Sequence, residues 1–594
     1  MNAKYPPLFI GNERKQRKQN PRRPTSSGRE VKTEAPREAR SVTTKTPTIE
    51  TVQVQLQQGV IEGARSEAGE GRFFYTFKSI PFAKPPVGAL RFKNPVAAEG
   101  WQGVRDGTQV APKCPQVDLF ALLVTGALAF EGSEDCLYLT VYTPKPFESD
   151  LPVMVWIHGG AFILGNSEDY PALPLLTKDV VLVTVQYRLG TLGFLSTGDE
   201  AIPGNLGLKD QVMALRWVQD NIRDLGGDPG KVTIFGESAG AGSVHHHVLS
   251  PWPQRAIMQS GAALCPWALR EDHRQVAMKM SDLFNCSAVD EASSSLDGAA
   301  LAECLREVPF DELTGAPSKF MVINNGPVVM TPGVDGEYLP EHPAVLLREG
   351  RYNKVDIISG INRNDGALSS TPYLADPPLL DSLFANFSVN GPISLNFEAW
   401  EDDPDYLTRR AYHHYLGPLA VPLEKAEQFT QMYTDRMFST CHMDAVQHHM
   451  RDEASGNRVF AYELQHRGEH SFFDDIYPLG NVSKDWVCHG DDIQYLFYKE
   501  TDNKDLTRSE DRFVSRIMVD LWTNFASAGH PTPDLSLGFI WAPMTSASES
   551  YLAITPAPFM EDYQNQEVLE FWRNMPTRTN KLLYKDRFTP SPVY

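Results

Sequence analysis

The sequence predicts an α/β fold with a large, mostly parallel central sheet flanked by helices. Five short β-branched runs bounded by Gly, Asn and Pro are typical of buried strands: LPVMVWI (151–157), VVLVTVQY (180–187), KVTIF (231–235), KVDIIS (354–359) and RVFAYEL (458–464). Between the second and third runs, apolar residues from Leu208 to Leu225 recur at helical spacing. Strands that alternate with helices indicate a parallel sheet covered on both faces.

The charge distribution predicts a basic N-terminal tail ahead of a globular body. Residues 1–46 hold 12 Lys and Arg against 4 Asp and Glu, a balance of +8, whereas the whole 594-residue chain carries −20. We expect a disordered basic tail over 1–50, one domain over 51–576 and a C-terminal tail over 577–594. The segment RKQRK is either a nuclear-localisation or anionic-surface patch or part of a solvated tail. The acidic body argues against nucleic acid as a partner.

Apolar patterning does not predict a membrane segment. The longest conspicuous uncharged apolar run, LFALLVTGALAF at 119–130, has 12 residues, fewer than the roughly 18 that span a bilayer. No apolar stretch of signal-peptide type is visible at the start. The less regular stretch 366–450, rich in Asp, Pro and aromatic residues, is predicted to form helices and loops inserted above the sheet.

A serine follows the third predicted strand. Ser238 lies in Gly236-Glu237-Ser238-Ala239-Gly240, which fits the pattern G-x-S-x-G. After a strand and before a helix of small residues, this pattern predicts a sharp, strained turn that exposes the hydroxyl at the top of the sheet.

A glycine-rich segment follows the first predicted strand. In HGGAF (158–162), successive backbone N–H groups can converge on one oxygen, as acyl transfer requires for its oxyanion. A structural turn is the alternative interpretation.

Several longer motifs resemble the type-B carboxylesterase/cholinesterase family of α/β-hydrolases, and the overall pattern is similar to arthropod carboxylesterases. In family order they are SEDCLYLTVYTP (133–144), HGGAF (158–162), QYRLGTLGFL (186–195), GNLGLKDQVMALRWVQDNI (204–222), GESAG (236–240), RAIMQSG (255–261), VDGEYLP (334–340), GINRNDGA (360–367) and HGDDIQYLF (489–497). The resemblance covers roughly 51–575. It implies the α/β-hydrolase fold with a gorge-type active site.

The resemblance implies a catalytic triad of Ser238, Asp365 and His489. The chain order Ser, acid, His is the order of this fold. Many relatives carry Glu at the acid position, where this chain has Asp. Glu337, Asp491 and Asp492 are alternative acids.

The resemblance also implies an oxyanion hole formed by the N–H groups of Gly160, Ala161 and Ala239. Glu237 is expected to position water for deacylation, and Ser260 to hydrogen-bond Glu237, with purely structural roles as the alternative.

The three histidines after the serine are expected to pack behind it. His245, His246 and His247 lie on a helix that runs away from Ser238, and neighbours on a helix point about 100° apart. A second ligand cluster is not evident, so we expect neither a metal ion nor a cofactor.

The resemblance also implies which cysteines form disulfides. By this resemblance Cys114 pairs with Cys136, around a loop over the gorge, and Cys286 pairs with Cys304. Cys265, Cys441 and Cys488 are implied to stay free. These bonds and the sequons at Asn285, Asn386 and Asn481 favour a secreted glycoprotein. A cytoplasmic location stays open because no signal peptide is visible.

The loop closed by Cys114 and Cys136 indicates which class of ester the protein binds. Cholinesterases hold a quaternary ammonium against a Trp in this loop, but here the aligned position is about Gly126. We therefore expect uncharged lipophilic esters, such as a hormone or xenobiotic ester.

Two functions remain open at this stage. The first is a serine carboxylic-ester hydrolase, a monomer or homodimer, that acts through an acyl-enzyme. The second is a non-catalytic cholinesterase-like adhesion or interaction protein. The connection LSPWPQRAI (249–257) is shorter than in the family, which could lower activity.

Overall fold

The structure is a computed structural model. It describes residues 50–589 except 69–70, 119–128, 148–149, 172, 251–254, 291–294, 325, 398–399, 422 and 498–505. The predicted basic tail, apart from residue 50, therefore lies outside the described residues, as do Gly126 and most of the apolar run 119–130.

The strands within the described residues are numbered β1 to β17 in chain order. They are Thr51–Leu56, Gly59–Glu67, Phe73–Pro81, Val104–Asp106, Gln116–Val117, Phe130–Glu131, Tyr138–Thr143, Leu151–Ile157, Val181–Val185, Gly227–Glu237, Arg255–Gln259, Val289–Asp290, Ser295–Leu296, Asp356–Asn362, Val459–Leu464, Ser550–Ile554 and Phe559–Asp562.

The α-helices of the same residues are numbered α1 to α19. They are Gly190–Phe194, Leu206–Asn221, Ala239–Val248, His273–Leu283, Gly298–Glu307, Phe310–Gly315, Pro343–Glu349, Ala367–Ala375, Pro377–Ala385, Phe387–Ser394, Pro404–Leu416, Ala426–Thr434, Thr440–Met450, Phe472–Ile476, Ile493–Leu496, Ser509–Ala528, Gln566–Arg573, Arg578–Leu583 and Lys585–Phe588. A π-helical turn, Asp435–Ser439, joins α12 to α13.

A 13-stranded sheet organises the domain, in the order β1-β2-β3-β7-β9-β8-β10-β11-β14-β15-β16-β17 with β4 beside β2. Neighbours from β9 to β16 run parallel, and the pairs toward both edges are mainly antiparallel. The predicted mostly parallel sheet is confirmed. Because parallel strands end at one edge, the residues after β8, β10 and β14 meet there.

Both faces of the sheet are covered, as the uninterrupted apolar strands indicate. Along β8, Val153, Val155 and Ile157 pack in one core cluster, whereas Met154 and Trp156 pack in the cluster on the other face. Side chains alternate between faces along a strand, so an apolar residue at every position requires helices on both sides.

The five strands predicted from apolar runs correspond to β8, β9, β10, β14 and β15. β10 is longer than predicted, since it begins at Gly227. The predicted helix corresponds to Leu206–Asn221, extended by a 3-10 turn over Ile222–Leu225.

The stretch 366–450 is mostly helical, as predicted. Its helices α8 to α12 and the following π-helical turn enclose an aromatic-rich cluster that includes Ile361, near the carboxyl end of β14. These helices therefore lie over the edge of the sheet where the candidate site forms. Among the described residues, no helix combines the length and apolarity that a membrane span requires.

The prediction of a C-terminal tail from residue 577 is wrong as far as residue 589. Helix α18 places Leu583 in the main core cluster, where it is 4% exposed. The Tyr584 hydroxyl donates to Asp444 Oδ1 at 2.5 Å. The sequence did not predict these helices because both are short and have few apolar residues, so they give no clear periodic signal.

Three disulfides lie within the described residues. Two are the bonds that the resemblance implies, Cys114–Cys136 and Cys286–Cys304. The expectation that Cys265 and Cys441 stay free is wrong, since they form the third bond. Their Cα atoms lie 5.0 Å apart, within disulfide range. Cys488 is free and buried, as expected.

Candidate active site

Ser238 occupies a strained turn between β10 and α3. Its backbone angles are φ 57° and ψ −123°, a region that is costly for a residue with a side chain and is found mainly at functional sites. Its N–H donates to the Gln259 carbonyl at 2.8 Å, and its carbonyl accepts from Gly242 N at 2.9 Å. These bonds fix the backbone while the side chain stays half-buried.

Gly240 is required by a close approach between backbones. A Cβ atom there would lie 2.0 Å from the Ile157 carbonyl oxygen at the end of β8. The second glycine of G-x-S-x-G thus lets the first turn of α3 pack directly on the neighbouring strand. This packing holds Ser238 at the edge of the sheet.

Asp365 and His489 are brought together by two loops that pair with each other. Asn364 donates its N–H to the Val487 carbonyl at 2.9 Å, and Val487 N donates to Asn364 Oδ1 at 3.1 Å. His489 Nδ1 then lies 3.0 Å from Asp365 Oδ1. The shorter Asp side chain therefore reaches the imidazole that the sequence predicts as its partner.

The second oxygen of Asp365 is also held. Ser260 Oγ donates to Asp365 Oδ2 at 2.8 Å, and Asn362 N donates to the same atom at 2.9 Å. The expectation that Ser260 hydrogen-bonds Glu237 is therefore wrong. Ser260 directly follows β11, beside β14, so its hydroxyl meets the loop that carries Asp365.

The alternative acids contact other groups. Glu337 is exposed and pairs with Lys209 Nζ at 2.7 Å. Asp491 Oδ2 accepts from Cys488 N at 2.7 Å, and Asp492 Oδ2 accepts from Gln259 Nε2 at 2.7 Å.

Glu237 meets the other side of the imidazole. Its Oε1 atom lies 3.1 Å from His489 Nε2, and the Glu237 and His489 side chains are 7% and 8% exposed. In this structure Nε2 faces Glu237, and the adjacent Ser238 hydroxyl is not hydrogen-bonded to it. Catalytic hydrogen bonds are often long or misaligned before substrate binds.

The electrostatics of His489 follow from these carboxylates. Burial lowers the pKa of His489, but the charge of Glu237, the hydrogen bond and charge of Asp365, and the charge of Asp492 together outweigh it. The net result raises the pKa of His489 to about 9. The site therefore favours the imidazolium, the form that arises when His489 accepts a proton.

The loop after β8 folds against the serine. A Cβ atom on Gly159 would lie 3.1 Å from Ser238 Cβ. Gly160, Ala161 and Phe162 all have positive φ angles, of 107°, 53° and 62°. The turn is closed by Ile163 N and Leu164 N, which both donate to the Gly160 carbonyl at 3.0 Å.

The predicted oxyanion donors lie on this loop and at the start of α3. The N–H groups of Gly160, Ala161 and Ala239 have no hydrogen-bond acceptor among the described residues. Ala239 opens α3, and the N-terminus of a helix carries partial positive charge. The arrangement can therefore present N–H donors to an oxygen beside Ser238.

The three histidines of α3 pack behind the serine, as predicted. All three are fully buried, and burial lowers the pKa of each. Their Nε2 atoms contact His449 Nε2 at 2.9 Å (His245), the Ala268 carbonyl at 3.0 Å (His246) and Gln211 Oε1 at 2.8 Å (His247).

Sequence reasoning missed one side chain beside the imidazole. The ring of Phe438 lies 4.7 Å from that of His489, centroid to centroid. Phe438 belongs to the π-helical turn Asp435–Ser439. Such turns are rare in proteins, and those that occur often lie at functional sites. Its sequence context, DRMFS, has no periodic pattern that would have identified it.

The chain is similar to known proteins over most of its length. The sequence profile of the carboxylesterase family matches residues 50–572. The chain is 36% identical to "Acylcarnitine hydrolase" of Mus musculus over 551 residues, which are 89% of this chain and 91% of that protein. It is 36% identical to "Juvenile hormone esterase" of Tribolium castaneum over 511 residues, 82% of this chain and 85% of that protein. It is 32% identical to "Venom carboxylesterase-6" of Apis mellifera over 545 residues, 88% of this chain and 94% of that protein.

Proposed function

The chain belongs to the carboxylesterase family and is an ester hydrolase, and we propose that it cleaves uncharged lipophilic carboxylic esters through an acyl-enzyme on Ser238. The observation that supports this most is the contact of 3.0 Å between His489 Nδ1 and Asp365 Oδ1, at the edge of the sheet that carries Ser238. A non-catalytic adhesion protein would not require an imidazole paired with a carboxylate beside the serine.

In acylation, His489 Nε2 accepts the proton of Ser238 Oγ as the oxygen attacks the ester carbonyl. The carbonyl oxygen becomes an oxyanion, which the N–H groups of Gly160, Ala161 and Ala239 stabilise. The C–O bond then breaks, and His489 returns the proton to the leaving alcohol. Asp365 holds the Nδ1–H tautomer and stabilises the imidazolium.

In deacylation, water replaces the alcohol. His489 removes a proton from the water as it attacks the acyl carbonyl, and returns that proton to Ser238 Oγ as the acid leaves. Glu237 lies beside Nε2 and is placed to orient this water. Before substrate binds, Glu237 Oε1 lies 3.1 Å from Nε2.

The choice of uncharged esters rests on the loop between Cys114 and Cys136. Its sequence over 119–130 has no Trp or charged residue, so it offers no indole for a quaternary ammonium. The name of the Tribolium castaneum relative, a juvenile hormone esterase, supports hormone esters as candidates. We expect p-nitrophenyl butyrate to be hydrolysed with a higher kcat/KM than butyrylthiocholine.

The test combines burst kinetics with active-site labelling. p-Nitrophenyl acetate and butyrate should give a burst of nitrophenol, and an organophosphate should label Ser238 in a peptide mass map. Ser238→Ala should abolish both. Ser243→Ala is the matched control, because Ser243 lies on the same helix and its hydroxyl donates to the Ala239 carbonyl instead. A folded wild-type chain with neither turnover nor label would support the adhesion function.

We further propose that the protein is a secreted glycoprotein. Three disulfides favour an oxidising compartment, and Asn285, Asn386 and Asn481 are all exposed. Expression in a secreting eukaryotic cell should yield protein whose gel mobility increases on N-glycan removal. The triple Asn→Gln variant should show no such change.

A further inference from the structure

We propose that the Cys265–Cys441 disulfide is a positioning bond for the catalytic base, because it fixes the segment that packs Phe438 against His489. The inference rests on the proposed function, since it assigns the bond a purpose only if His489 is the base. It concerns the one disulfide that the sequence did not predict.

The first end of the bond adjoins the aromatic residue. Cys441 is the second residue of α13 and follows the π-helical turn that carries Phe438. Phe438 is 2% exposed, and its ring lies 4.7 Å from the His489 ring. A shift of Cys441 would therefore move the surface on which the imidazole rests.

The second end lies on the loop that begins at a hydrogen-bond donor to the catalytic acid. Cys265 lies in the loop that follows Ser260, the residue that donates to Asp365 Oδ2. The loop is tightly turned, with Cys265 N donating to the Ala262 carbonyl at 3.0 Å and Ala268 N to the Cys265 carbonyl at 2.9 Å. The bond thus joins the loop that begins at Ser260 to the segment that packs on His489, across 176 residues.

A hydrogen bond reinforces the same junction. Trp267 Nε1 donates to the carbonyl of Met437, in the π-helical turn, at 2.9 Å. The Trp267 ring also lies 6.0 Å from the Phe438 ring. A disulfide and a hydrogen bond therefore connect the same two segments.

A cavity of about 60 Å³ borders the bond. Cys265 and Cys441 line it together with Leu264, Thr440 and Asp444. Both half-cystines are nonetheless buried, at 1% and 5% exposed. The bond therefore lies at the inner wall of this cavity, where it joins the loop to α13.

The decisive variant is Cys265→Ala/Cys441→Ala. It should lower kcat/KM by about 10- to 100-fold, mainly through kcat, since small misplacements of catalytic groups have effects of this size. The acid limb of the pH profile should also move, because the imidazole would change position among Glu237, Asp365 and Asp492, the carboxylates that act on it. Organophosphate labelling of Ser238 should slow in parallel.

The matched control is Cys286→Ala/Cys304→Ala, which removes a disulfide between residues 18 apart. It should lower the Tm and leave kcat/KM and the pH profile unchanged. A merely structural Cys265–Cys441 bond would behave in the same way, and that result would overturn the proposal.

If the double variant does not fold, two further variants test whether the joined segments position His489. Trp267→Phe keeps the disulfide and the ring but removes the hydrogen bond, and Phe438→Leu removes the aromatic contact. Both should lower kcat and move the acid limb. Wild-type kcat and pH profiles in both would overturn the proposal. By contrast, absence of burst and label in the wild-type chain would overturn the proposed function itself.

Discussion

His489 Nε2 lies 3.1 Å from Oε1 of Glu237, the residue that precedes the serine. With Asp365 on Nδ1, the imidazole stands between two carboxylates. Ester hydrolysis therefore requires this strongly stabilised imidazolium to lose its proton before it can act as a base.

Glu237→Gln should move the acid limb of the pH profile to lower pH. The pKa of His489 is raised to about 9 although burial lowers it, and Glu237 is the foremost of the groups that raise it. Loss of one adjacent opposite charge lowers such a pKa by about 1–3 pH units. The measurement is kcat/KM for a neutral ester between pH 5 and pH 10. An unchanged midpoint would show that Glu237 does not act on the imidazole.

Asp365→Asn should lower kcat by about 10⁴-fold, because an amide favours the wrong tautomer of the imidazole. Steady-state hydrolysis of p-nitrophenyl butyrate measures the effect. Glu337→Gln is the control, since Glu337 is exposed and pairs with Lys209, and it should retain wild-type kcat. The reverse pattern would assign the acid to Glu337.

Gly240→Ala should strongly destabilise the fold, whereas Gly242→Ala should not. The added Cβ at Gly240 would lie 2.0 Å from a backbone oxygen, but at Gly242 the nearest atom is 3.5 Å away. Overpacking typically costs about 1–3 kcal/mol of unfolding free energy, and occasionally more, while Ala in a helix interior gains up to about 1 kcal/mol over Gly. Urea unfolding of both variants tests this, and equal stabilities would contradict it.

His246→Gln should reduce the loss of stability in acid. Burial lowers the pKa of His246 to about 4, below the value of about 6.5 in an unfolded chain. As the pH falls from about 6.5 to 4, the unfolded chain binds the proton first, so the fold loses about 1.4 kcal/mol per pH unit from this group.

Glutamine can donate to the Ala268 carbonyl as His246 does, but it does not titrate. The slope of unfolding free energy against pH should therefore be shallower in the variant. His413→Gln, at an exposed position, is the control. An identical slope in wild type and His246→Gln would rule out this contribution.

The sequence predicted the sheet well because its strands are buried on both faces and read as continuous apolar runs. It also predicted the turn at Ser238, since local backbone geometry imposes small residues on either side. Asp365 and His489 came from the resemblance to a family, because nothing in their immediate sequence separates them from other acids and histidines.

The contacts that the sequence did not predict join distant segments. Ser260 meets Asp365 because β11 and β14 are neighbours in the sheet, which the sequence does not specify. Cys265 and Cys441 lie 176 residues apart, and no local spacing marks them as partners. The position of Phe438 beside His489 depends on a π-helical turn. The 3.6-residue period of an ordinary helix does not predict where its side chains lie.

The two hydrogen bonds on Asp365 from Ser260 and His489 span 105 and 124 residues of chain. Closing loops of this length is entropically costly and slow compared with forming local helices. During refolding, helical structure should therefore return well before ester hydrolysis does. In a newly made chain, local helices should therefore exist before Ser238, Asp365 and His489 meet, so the serine should acquire its reactivity only late in folding.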